Sequence, residues 1–277
     1  MRRQFRLDRC HAVITGASSG LGAEFARQLA PRAHRLLLVA RRADALAQVR
    51  QEIQAGHPKL QVHLCPADVT TEAGRSDVIR RVDDLRIDPN LLINNAGRGD
   101  YGSFGSAEAS TIQAQVDLNI VALLLLTRAL LPGLCGQASA DRPAAVLNVS
   151  SLAGELPLPD AAVYAASKAF VTSFSAALGV ELADRHVLVS ALCPGPTPTP
   201  FSQTARRAGG ADTHRGGQGM LRMPPEVVVR RGLEALQQGE AQVFPGLGVR
   251  LAAVLFRAAP RWLVCRMLLR RHRAGGT

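Results

Sequence analysis

The sequence predicts an α/β protein made of a single doubly wound domain, in which a mostly parallel seven-stranded sheet has helices on both faces. Short runs of leucine and β-branched residues alternate with helical patterns, as in successive right-handed crossovers between parallel strands. A glycine-rich turn separates the first strand from the first helix. The 277 residues, 47% hydrophobic and 20% charged, suit one large core without requiring a second full domain.

Seven runs are predicted to be strands because they are short, apolar and bounded by turn residues. They are residues 11–15, 36–40, 60–65, 91–93, 144–149, 187–192 and 242–244. Helical periodicity predicts helices at residues 21–30, 43–55, 111–131, 161–183 and 224–238. Ligands of such a sheet bind beyond the carboxyl ends of the strands, so we look for functional residues there.

The alternation of strands and helices stops after the sixth strand. Prolines are dense from Pro194 to Pro200, which excludes a helix interior, and residues 208–219 are rich in glycine, arginine, threonine and glutamine. We predict a mobile substrate lid at residues 199–223, with a plain surface loop as the alternative. Residues 1–246 are assigned to the domain, including this lid. Residues 247–277 are assigned to a basic amphipathic tail that is not a separate domain.

The tail combines apolar residues with arginines, and Pro260 is expected to kink its helix. A basic amphipathic helix can lie on an anionic membrane surface. Alternatively, its apolar stripe packs on the domain, on a second subunit or at the substrate mouth. Either arrangement favours a hydrophobic substrate. We further expect a homo-oligomer, either a dimer or a tetramer.

The formal net charge of +11 is concentrated at the two ends of the chain. The first nine residues contain four arginines and one aspartate, and the residues after Glu240 contain seven arginines and no acidic residue. The rest of the chain is nearly balanced, which predicts no basic face for phosphates. We therefore expect no binding of nucleic acid.

Cysteine and histidine spacing bears on metals, disulfides and compartment. The five cysteines show no Cys-x-x-Cys pair, and the seven histidines lack the spacing of metal ligands. We expect neither a disulfide framework nor a metal site. The chain shows no signal peptide and no uninterrupted apolar run of about 18 residues. These features predict a cytoplasmic protein, peripheral to the inner membrane surface if the tail binds there.

Residues 15–22, with the sequence TGASSGLG, end the first strand and open the first helix. Glycines permit a tight turn and close approach of the backbone, and the free N–H groups of the helix start attract a pyrophosphate. We predict that a dinucleotide binds at this turn. The predicted contacts are Gly16, Ser18, Ser19, Gly20, Leu21 and Gly22.

The second strand ends in Arg41 and Arg42. In dinucleotide folds an acidic residue at this position binds the ribose hydroxyls of NAD, whereas an arginine accommodates the 2′-phosphate of NADP. The sequence therefore favours NADPH/NADP⁺, with both arginines as cofactor-binding residues. The alternative is that they are ordinary surface arginines.

Tyr164 and Lys168 lie four residues apart on a predicted helix, so that the phenol and the ammonium share one face. A nearby positive charge is expected to lower the pKa of the tyrosine and make it a usable acid and base. Ser151, thirteen residues before Tyr164, can donate to a substrate carbonyl oxygen. Asn119 is a polar residue on an apolar helix, and such a residue, taken alone, is more often a buried core amide than a catalytic group.

Together these residues resemble the short-chain dehydrogenase/reductase family, over about residues 10–199. The resemblance implies a Rossmann-like fold with strand order 3-2-1-4-5-6-7. Asn119, Ser151, Tyr164 and Lys168 match the family's catalytic tetrad, and the thirteen-residue spacing selects Ser151 over Ser150. The resemblance also implies further cofactor contacts by an adenine pair, the segment after the fourth strand and the nicotinamide segment. These residues are Asp68, Val69, Asn95, Ala96, Gly97, Pro194, Gly195, Thr197 and Thr199, besides Tyr164 and Lys168.

In that family the tyrosine transfers the proton and the serine polarises the carbonyl. The lysine lowers the tyrosine pKa and binds the nicotinamide ribose, and the asparagine holds a water. The resemblance thus implies NADPH-dependent reduction of a small hydrophobic ketone or aldehyde to an alcohol. The alternatives are NADP-dependent alcohol oxidation at the same site, or a non-catalytic dinucleotide-binding protein that regulates or acts at a membrane surface.

Overall fold

The computed structural model describes residues 4–205, 207 and 221–274, and the side chains only as far as residue 270. A seven-stranded parallel sheet of order β3-β2-β1-β4-β5-β6-β7 forms the centre, which confirms the predicted fold class. The strands are β1 (His11–Thr15), β2 (Arg35–Ala40), β3 (Gln61–Pro66), β4 (Leu91–Asn94), β5 (Ala144–Val149), β6 (Val187–Leu192) and β7 (Gln242–Val243).

Helices connect the strands and cover both faces of the sheet. They are α1 (Gly20–Leu29), α2 (Ala43–Gly56), α3 (Glu72–Asp84), α4 (Ala109–Val116), α5 (Ala122–Gln137), α6 (Ala162–Glu181), α7 (Pro200–Thr204), α8 (Pro225–Gln237), α9 (Leu247–Ala258) and α10 (Arg261–Ala274). One apolar cluster fills the face under α1, α2 and α8, and a second fills the face under α3, α5 and α6. The chain reverses its winding between β1 and β4, which are neighbours in the sheet. This switch point is where such folds bind ligands.

The helix predicted at residues 111–131 is longer and less regular than the pattern indicated. α4 and α5 form one continuous helix with a π turn at Asp117–Val121, and α5 continues through Pro132 to Gln137. A π turn inserts an extra residue into the helix and rotates the side chains that follow. The sequence pattern did not indicate α3, because only Gly74, Val78 and Val82 of its thirteen residues are buried.

The predicted lid, residues 199–223, lies largely outside the described residues. Its first part forms α7, which begins at Pro200; proline is compatible with the first turn of a helix because the N–H that it lacks has no helical partner there. Residues 206 and 208–220 lie outside the described part of the chain. Around Arg207 and from Leu221 onwards, the chain contacts the body of the domain.

The tail forms two helices rather than one kinked helix. α9 ends at Ala258 and α10 begins at Arg261, because Pro260 cannot continue a helix that precedes it. Val249 and Ala253 on the inner side of α9 are buried against a small apolar cluster that includes Leu152. The inner side of α9 therefore packs on the domain.

Two helical stretches, Ala109–Gln137 and Ala162–Glu181, are long and apolar enough to cross a membrane by length and composition. Polar or charged residues interrupt both stretches, so neither is an uninterrupted apolar run of about 18 residues. Both stretches contribute residues to the core against the sheet, such as Leu126 and Val171, and core helices commonly pass this test.

Candidate active site

The turn after β1 is built around two glycines with left-handed backbone conformations. Gly16 has φ +66° and Gly20 has φ +55°, a region that residues with a Cβ rarely adopt. A Cβ on Gly22 would lie 2.2 Å from the carbonyl oxygen of Gly16, so only glycine fits there. Ser19, the N-cap of α1, makes no side-chain capping bond. The first N–H groups of α1 are therefore available to an anion.

Asn95 fastens this turn to the neighbouring strand. Its Nδ2 donates to the carbonyl oxygens of Thr15 at 3.0 Å and Gly16 at 3.2 Å. The hydroxyl of Thr15 accepts from the backbone N–H of Asn95 at 3.0 Å and of Ala96 at 3.1 Å. The predicted segment after β4 is thus placed directly beside the predicted glycine turn. Asn95 and Ala96 therefore lie at the same edge of the sheet as the glycine turn.

The carboxyl end of β2 carries the two predicted arginines. Arg41 extends into solvent, and its Nη1 lies 3.9 Å from Oδ2 of Asp68. Nη2 of Arg42 donates to the hydroxyls of Ser18 and Ser19, both at 3.3 Å. The arginines therefore flank the glycine turn on the side of β2.

Asp68 and Val69 follow β3 at the same edge. Burial alone would raise the pKa of Asp68, but hydrogen bonds from Thr70 and the charge of Arg41 hold that pKa below its ordinary value. Val69 is buried. Asp68 is thus ionised and fixed in position at neutral pH.

Tyr164 lies on α6 with its ring almost fully buried, 8% exposed. The ring packs edge-on against Tyr101, with centroids 6.1 Å apart, and against Phe201 of α7 at 5.7 Å. The hydroxyl of Ser151 lies near enough to its phenol to lower the pKa of that phenol. Ser151 itself caps the turn Leu152–Glu155 and accepts from the backbone N–H of Ala153 at 3.1 Å. The structure therefore brings Ser151 and Tyr164 together.

Lys168 lies one turn further along α6 and is also buried, 5% exposed. Its Nζ donates to the carbonyl oxygen of Val149 at 2.8 Å and lies 5.8 Å from the centroid of the Tyr164 ring. Burial lowers the pKa of Lys168 from 10.5 to about 8. The amine is therefore close to its titration point near neutral pH.

The prediction that Lys168 lowers the pKa of Tyr164 is not what the structure shows. Burial raises the pKa of Tyr164, the proximity of Tyr101 raises it further, and the hydrogen bond with Ser151 lowers it only in part. The physical reason is desolvation, because a phenolate in an apolar enclosure loses more hydration than one hydrogen bond restores. Tyr164 is thus protonated at neutral pH.

Asn119 reaches the site from the π turn. Its Oδ1 accepts from the backbone N–H of Arg98 at 2.9 Å, and its Nδ2 donates to the carbonyl of Arg98 at 2.9 Å and to Ser167 at 3.0 Å. A Cβ on Gly97 would lie 3.2 Å from Oδ1 of Asn119 and 3.5 Å from Nζ of Lys168. Gly97 therefore lets Asn119 and Lys168 approach the same space.

The segment from Pro194 to Thr199 joins the two halves of the site. The carbonyl of Pro194 accepts from the backbone N–H of Leu152 at 2.8 Å, next to Ser151. At its other end, the side chain of Thr199 lies 3.3 Å from where a Cβ on Gly20 would stand. The hydroxyl of Thr197 donates to the carbonyl of Gly195 at 3.1 Å and stiffens the segment.

Ser150 is held away from this space, which separates it from Ser151. Its hydroxyl donates to the backbone carbonyl of Lys168 at 2.8 Å and lies 2.7 Å from the hydroxyl of Thr172. It joins β5 to α6 and does not face Tyr164. Of the two serines, Ser151 is therefore the one that lies beside Tyr164.

A buried polar row beneath the site was not predicted from the sequence. Nδ2 of Asn94 donates to Thr127 at 2.8 Å and to Asn148 at 2.9 Å, and Asn148 donates to Ser175 at 2.9 Å. The row ties β4 and β5 to helices α5 and α6. The available signal was an asparagine inside each of two apolar strands, since buried amides require partners.

The contacts that close the space in front of the Tyr164 ring were also not predicted from the sequence. Arg207 forms a two-pronged ion pair with Asp100, at 2.8 and 2.6 Å, and donates to the carbonyl of Ser103 at 2.9 Å. The backbone N–H of Tyr101 donates to the carbonyl of Ala205 at 2.7 Å. These bonds hold α7 and the loop after β4 together over the Tyr164 ring. The pair is separated by 107 residues, so sequence spacing carried no signal for it.

Within the part of the chain that the structure describes, no three histidine, cysteine or acidic side chains are grouped so that they could hold a metal ion.

A dinucleotide turn at the switch point of a parallel sheet, facing a buried phenol and amine, defines the class of NAD(P)-dependent oxidoreductases that act on carbonyl and alcohol groups. The family model described as short chain dehydrogenase matches residues 10–209. The chain belongs to this family.

Relatives and solved structures agree with that assignment. A very-long-chain 3-oxoacyl-CoA reductase of Kluyveromyces lactis is 34% identical over 180 residues, 64% of this chain and 52% of that protein, so the chain spans about half of its length. A short-chain dehydrogenase of Sphingobium yanoikuyae in complex with NADPH is 28% identical, with a TM-score of 0.75 over 97% of this chain and 96% of that one. A 3-ketoacyl-(acyl-carrier-protein) reductase of Brucella melitensis complexed with NADH is 26% identical, with a TM-score of 0.75 over 87% and 99%.

Proposed function

We propose that the protein reduces the carbonyl group of a hydrophobic ketone or aldehyde to an alcohol, with NADPH as the hydride donor. The observation that carries the proposal is the buried phenol of Tyr164, which lies beside the hydroxyl of Ser151 and has Nζ of Lys168 5.8 Å from its ring centroid. Both side chains lie at the sheet edge that also holds the glycine turn. The proposed catalytic residues are Asn119, Ser151, Tyr164 and Lys168.

Tyr164 is the proposed proton donor. Because burial raises its pKa, the phenol carries its proton at neutral pH and can transfer it to the oxygen of a carbonyl that receives a hydride. The reverse reaction, alcohol oxidation, would require the phenolate, which the apolar enclosure disfavours. The protonation state therefore supports reduction over oxidation.

Ser151 is proposed to donate a hydrogen bond to the substrate oxygen as negative charge develops on it. Lys168 reaches the space next to Gly97 and is proposed to bind the nicotinamide ribose and to pass a proton towards Tyr164. Its lowered pKa of about 8 suits proton exchange near neutral pH. Asn119 is proposed to position Lys168 and a water. Its own position is fixed because its amide bonds to both backbone groups of Arg98.

The residues of the crevice fit a nicotinamide dinucleotide. Gly16, Gly20 and Gly22 leave space where a Cβ would clash, and the first turn of α1 is open to a pyrophosphate. When bound, the dinucleotide supplies the hydride. Asp68 and Val69 are proposed to contact its adenine, and the segment from Pro194 to Thr199 its nicotinamide.

We propose NADPH as the preferred cofactor. Arg41 is largely free in solvent at the end of β2 and has only a 3.9 Å contact with Asp68, so its guanidinium can turn to a 2′-phosphate. Arg42 adds a second positive charge next to Ser18 and Ser19. The solved relatives bind either form, NADPH in one and NADH in another.

The substrate is proposed to be hydrophobic because aromatic rings enclose the phenol. Tyr101 and Phe201 pack against Tyr164, and Phe104 lies exposed on the same loop. A ketone within an acyl chain fits this wall, and the 3-oxoacyl reductases among the relatives act on such groups by name. A non-catalytic dinucleotide-binding role would leave the grouping of Ser151 with the buried Tyr164 and Lys168 without a purpose.

A homo-oligomer is proposed for the assembled protein. Leu125 on α5 and Phe170 on α6 are exposed apolar side chains on the helices of one face. Such residues commonly become buried between subunits. Analytical ultracentrifugation of the parent and of Phe170→Ser would show a dimer or tetramer that the substitution weakens.

The proposed reaction is tested with Tyr164→Phe. We expect NADPH oxidation with a panel of aromatic and long-chain ketones, including a 3-oxoacyl thioester, to fall by at least about 100-fold, because the proton donor is removed. NADPH binding, followed by the cofactor's fluorescence, should be retained. The matched control is Tyr101→Phe, which removes the only other phenol of the chain and is expected to remain within about tenfold of the parent. Equal rates for Tyr164→Phe and the parent on every substrate would contradict the proposal.

A further inference from the structure

The C-terminal helices display an unusual amount of apolar surface. Eight of the twelve large apolar side chains that are exposed in the described part of the chain lie on α9 and α10. Their exposed fractions range from 47% to 86%. We define the C-terminal surface by Leu247, Leu251, Val254, Leu255, Trp262 and Met267. Isolated exposed apolar residues are ordinary, but a group of this size marks a binding surface.

The apolar residues of α9 form a stripe opposite its packed side. Leu247, Leu251 and Leu255 follow each other at four-residue spacing, which puts them on one side of the helix. Val249 and Ala253, on the other side, are buried against the domain. α9 therefore uses one apolar face for folding and presents a second one outward.

An ion pair fixes α9 in this orientation. Arg257 donates to Glu155 at 2.7 Å and to Gln242 at 2.7 Å, and the carboxylate side chain is only 7% exposed. Its guanidinium also lies 5.4 Å from the centroid of the Phe244 ring. The outward direction of the stripe is thus set by the fold and does not depend on a partner.

The charge of the C-terminal surface indicates which kind of partner it binds. Exposed Arg250, Arg261, Arg266 and Arg270 lie among the apolar side chains, and the sequence contains no acidic residue after Glu240. A second copy that met this surface across a two-fold axis would bring its own arginines, with no carboxylate on either side to neutralise them. An anionic lipid surface offers the opposite charge together with an apolar interior.

We propose that α9 and α10 bind the C-terminal surface to an anionic lipid bilayer. The apolar side chains enter the boundary between headgroups and acyl chains, Trp262 lies at the headgroup level, and the arginines contact lipid phosphates. α9 also contacts the site, because a Cβ on Gly195 would lie 3.0 Å from Cγ2 of Val249. The C-terminal surface is therefore carried by a helix that packs on the segment from Pro194 to Thr199.

The test measures co-sedimentation of the full chain with two kinds of vesicle, phosphatidylcholine alone and equal parts of phosphatidylcholine and phosphatidylglycerol. We expect binding to the anionic vesicles that weakens by about tenfold or more when salt rises from 0.1 M to 1 M, because the screening length falls from about 10 Å to 3 Å. Neither cofactor nor substrate is present, so the result is independent of the proposed reaction.

Two variants examine the apolar and the charged components separately. The double variant Leu251→Ser with Leu255→Ser is expected to reduce the partition coefficient by at least about tenfold. Its control is Val180→Ser, which removes a 78% exposed apolar side chain from α6. Arg250→Glu with Arg266→Glu should reduce binding to a similar extent, and its control is Arg50→Glu on α2. Circular dichroism verifies that each variant is folded.

Equal binding to neutral and anionic vesicles, or no binding to either, would overturn the proposal. So would double variants that bind as strongly as their controls. If the parent instead forms a dimer that Leu251→Ser with Leu255→Ser dissociates, and no vesicle is bound, the C-terminal surface is a contact between subunits and the proposal is wrong.

Discussion

Tyr164 and Lys168 respond in opposite directions to the same burial. An apolar enclosure disfavours the charged form of any group, so it raises the pKa of the phenol and lowers that of the amine. The tyrosine keeps its proton, while the lysine approaches the point at which it releases one. The pair is therefore suited to passing a proton outward to a substrate oxygen and recovering it through the amine.

The lowered pKa of Lys168 leads to a testable prediction about how the free energy of unfolding changes with pH. The pKa of Lys168 is about 8 in the folded chain and 10.5 ordinarily. Between these two pH values the amine keeps its proton in the unfolded chain but has lost it in the folded chain. Stability contributed by this group therefore rises as the pH rises through that window. We expect the free energy of unfolding of the parent, relative to Lys168→Met, to increase by roughly 2–3 kcal/mol between pH 7 and pH 10.

Urea unfolding of both proteins at the two pH values measures this difference, and the subtraction removes other titrating groups such as Cys10, whose pKa burial raises to about 12. A difference that stays constant or falls with pH would show that the amine of Lys168 is not desolvated.

Cofactor preference belongs to single residues at the end of β2. Arg41→Asp replaces a free guanidinium with a carboxylate that repels a 2′-phosphate and accepts from ribose hydroxyls. We expect the ratio of kcat/KM for NADPH to that for NADH to fall by at least about tenfold. The control is Arg50→Asp on α2, which leaves the ratio unchanged. An unaltered ratio in Arg41→Asp would remove this residue from the cofactor site.

At the scale of elements, turns determine what the site contains. The π turn at Asp117–Val121 interrupts a long helix and carries Asn119, which bonds to the loop after β4. The glycine turn brings the start of α1 against β4. Tyr164 and Lys168 lie on the regular helix α6, whereas irregular backbone places Asn119 and the glycine turn, since it can aim groups that regular periodicity cannot.

Gly22→Ala tests how tightly the glycine turn is packed. The new Cβ would lie 2.2 Å from the carbonyl oxygen of Gly16 and 2.5 Å from Nδ2 of Asn95, so the backbone must move. We expect a loss of about 2–4 kcal/mol in unfolding free energy and weaker NADPH binding. Gly56→Ala at the end of α2 is the control, because its Cβ meets nothing within 4 Å. That change should be neutral or slightly stabilising. Equal stability of the two variants would show that the turn is loosely packed.

At the scale of the whole molecule, the last helices are both part of the fold and part of its outer surface. α9 closes an apolar cluster around Leu152 and pairs Arg257 with the buried carboxylate of Glu155. Both contacts adjoin the turn that Ser151 caps. We propose that residues 247–277 are a tail of this domain and not a separate domain.

Two truncations separate these contributions. Deletion of residues 247–277 should reduce the free energy of unfolding by about 3 kcal/mol or more, because it exposes apolar side chains and leaves Glu155 without its ionic partner. Deletion of residues 261–277 removes α10 alone and should reduce it less. Urea midpoints measured for both, at equal m-values, make the comparison. Equal losses would show that α9 contributes little to the packing of the domain.

Local sequence patterns predicted the parallel sheet and most of the candidate site residues, and the family resemblance supplied the strand order that the structure has. Alternating periodicities require parallel strands with crossover helices, and the glycine turn and the Tyr-x-x-x-Lys spacing are local patterns that one segment can carry. The observed limits of the predicted helices differ from the expected ones mainly in α4 and α5, where a π turn and an internal proline leave no clear periodic signal.

Features that depend on contacts between residues distant in sequence could be read only from the folded chain. The pKa of Tyr164 follows from the rings that bury it, the ion pair of Asp100 with Arg207 spans 107 residues, and the inner and outer faces of α9 are distinguished by what packs against them. Spacing along a chain records which groups share a helix face or a turn. Desolvation and pairing across the fold depend on neighbours that spacing does not specify.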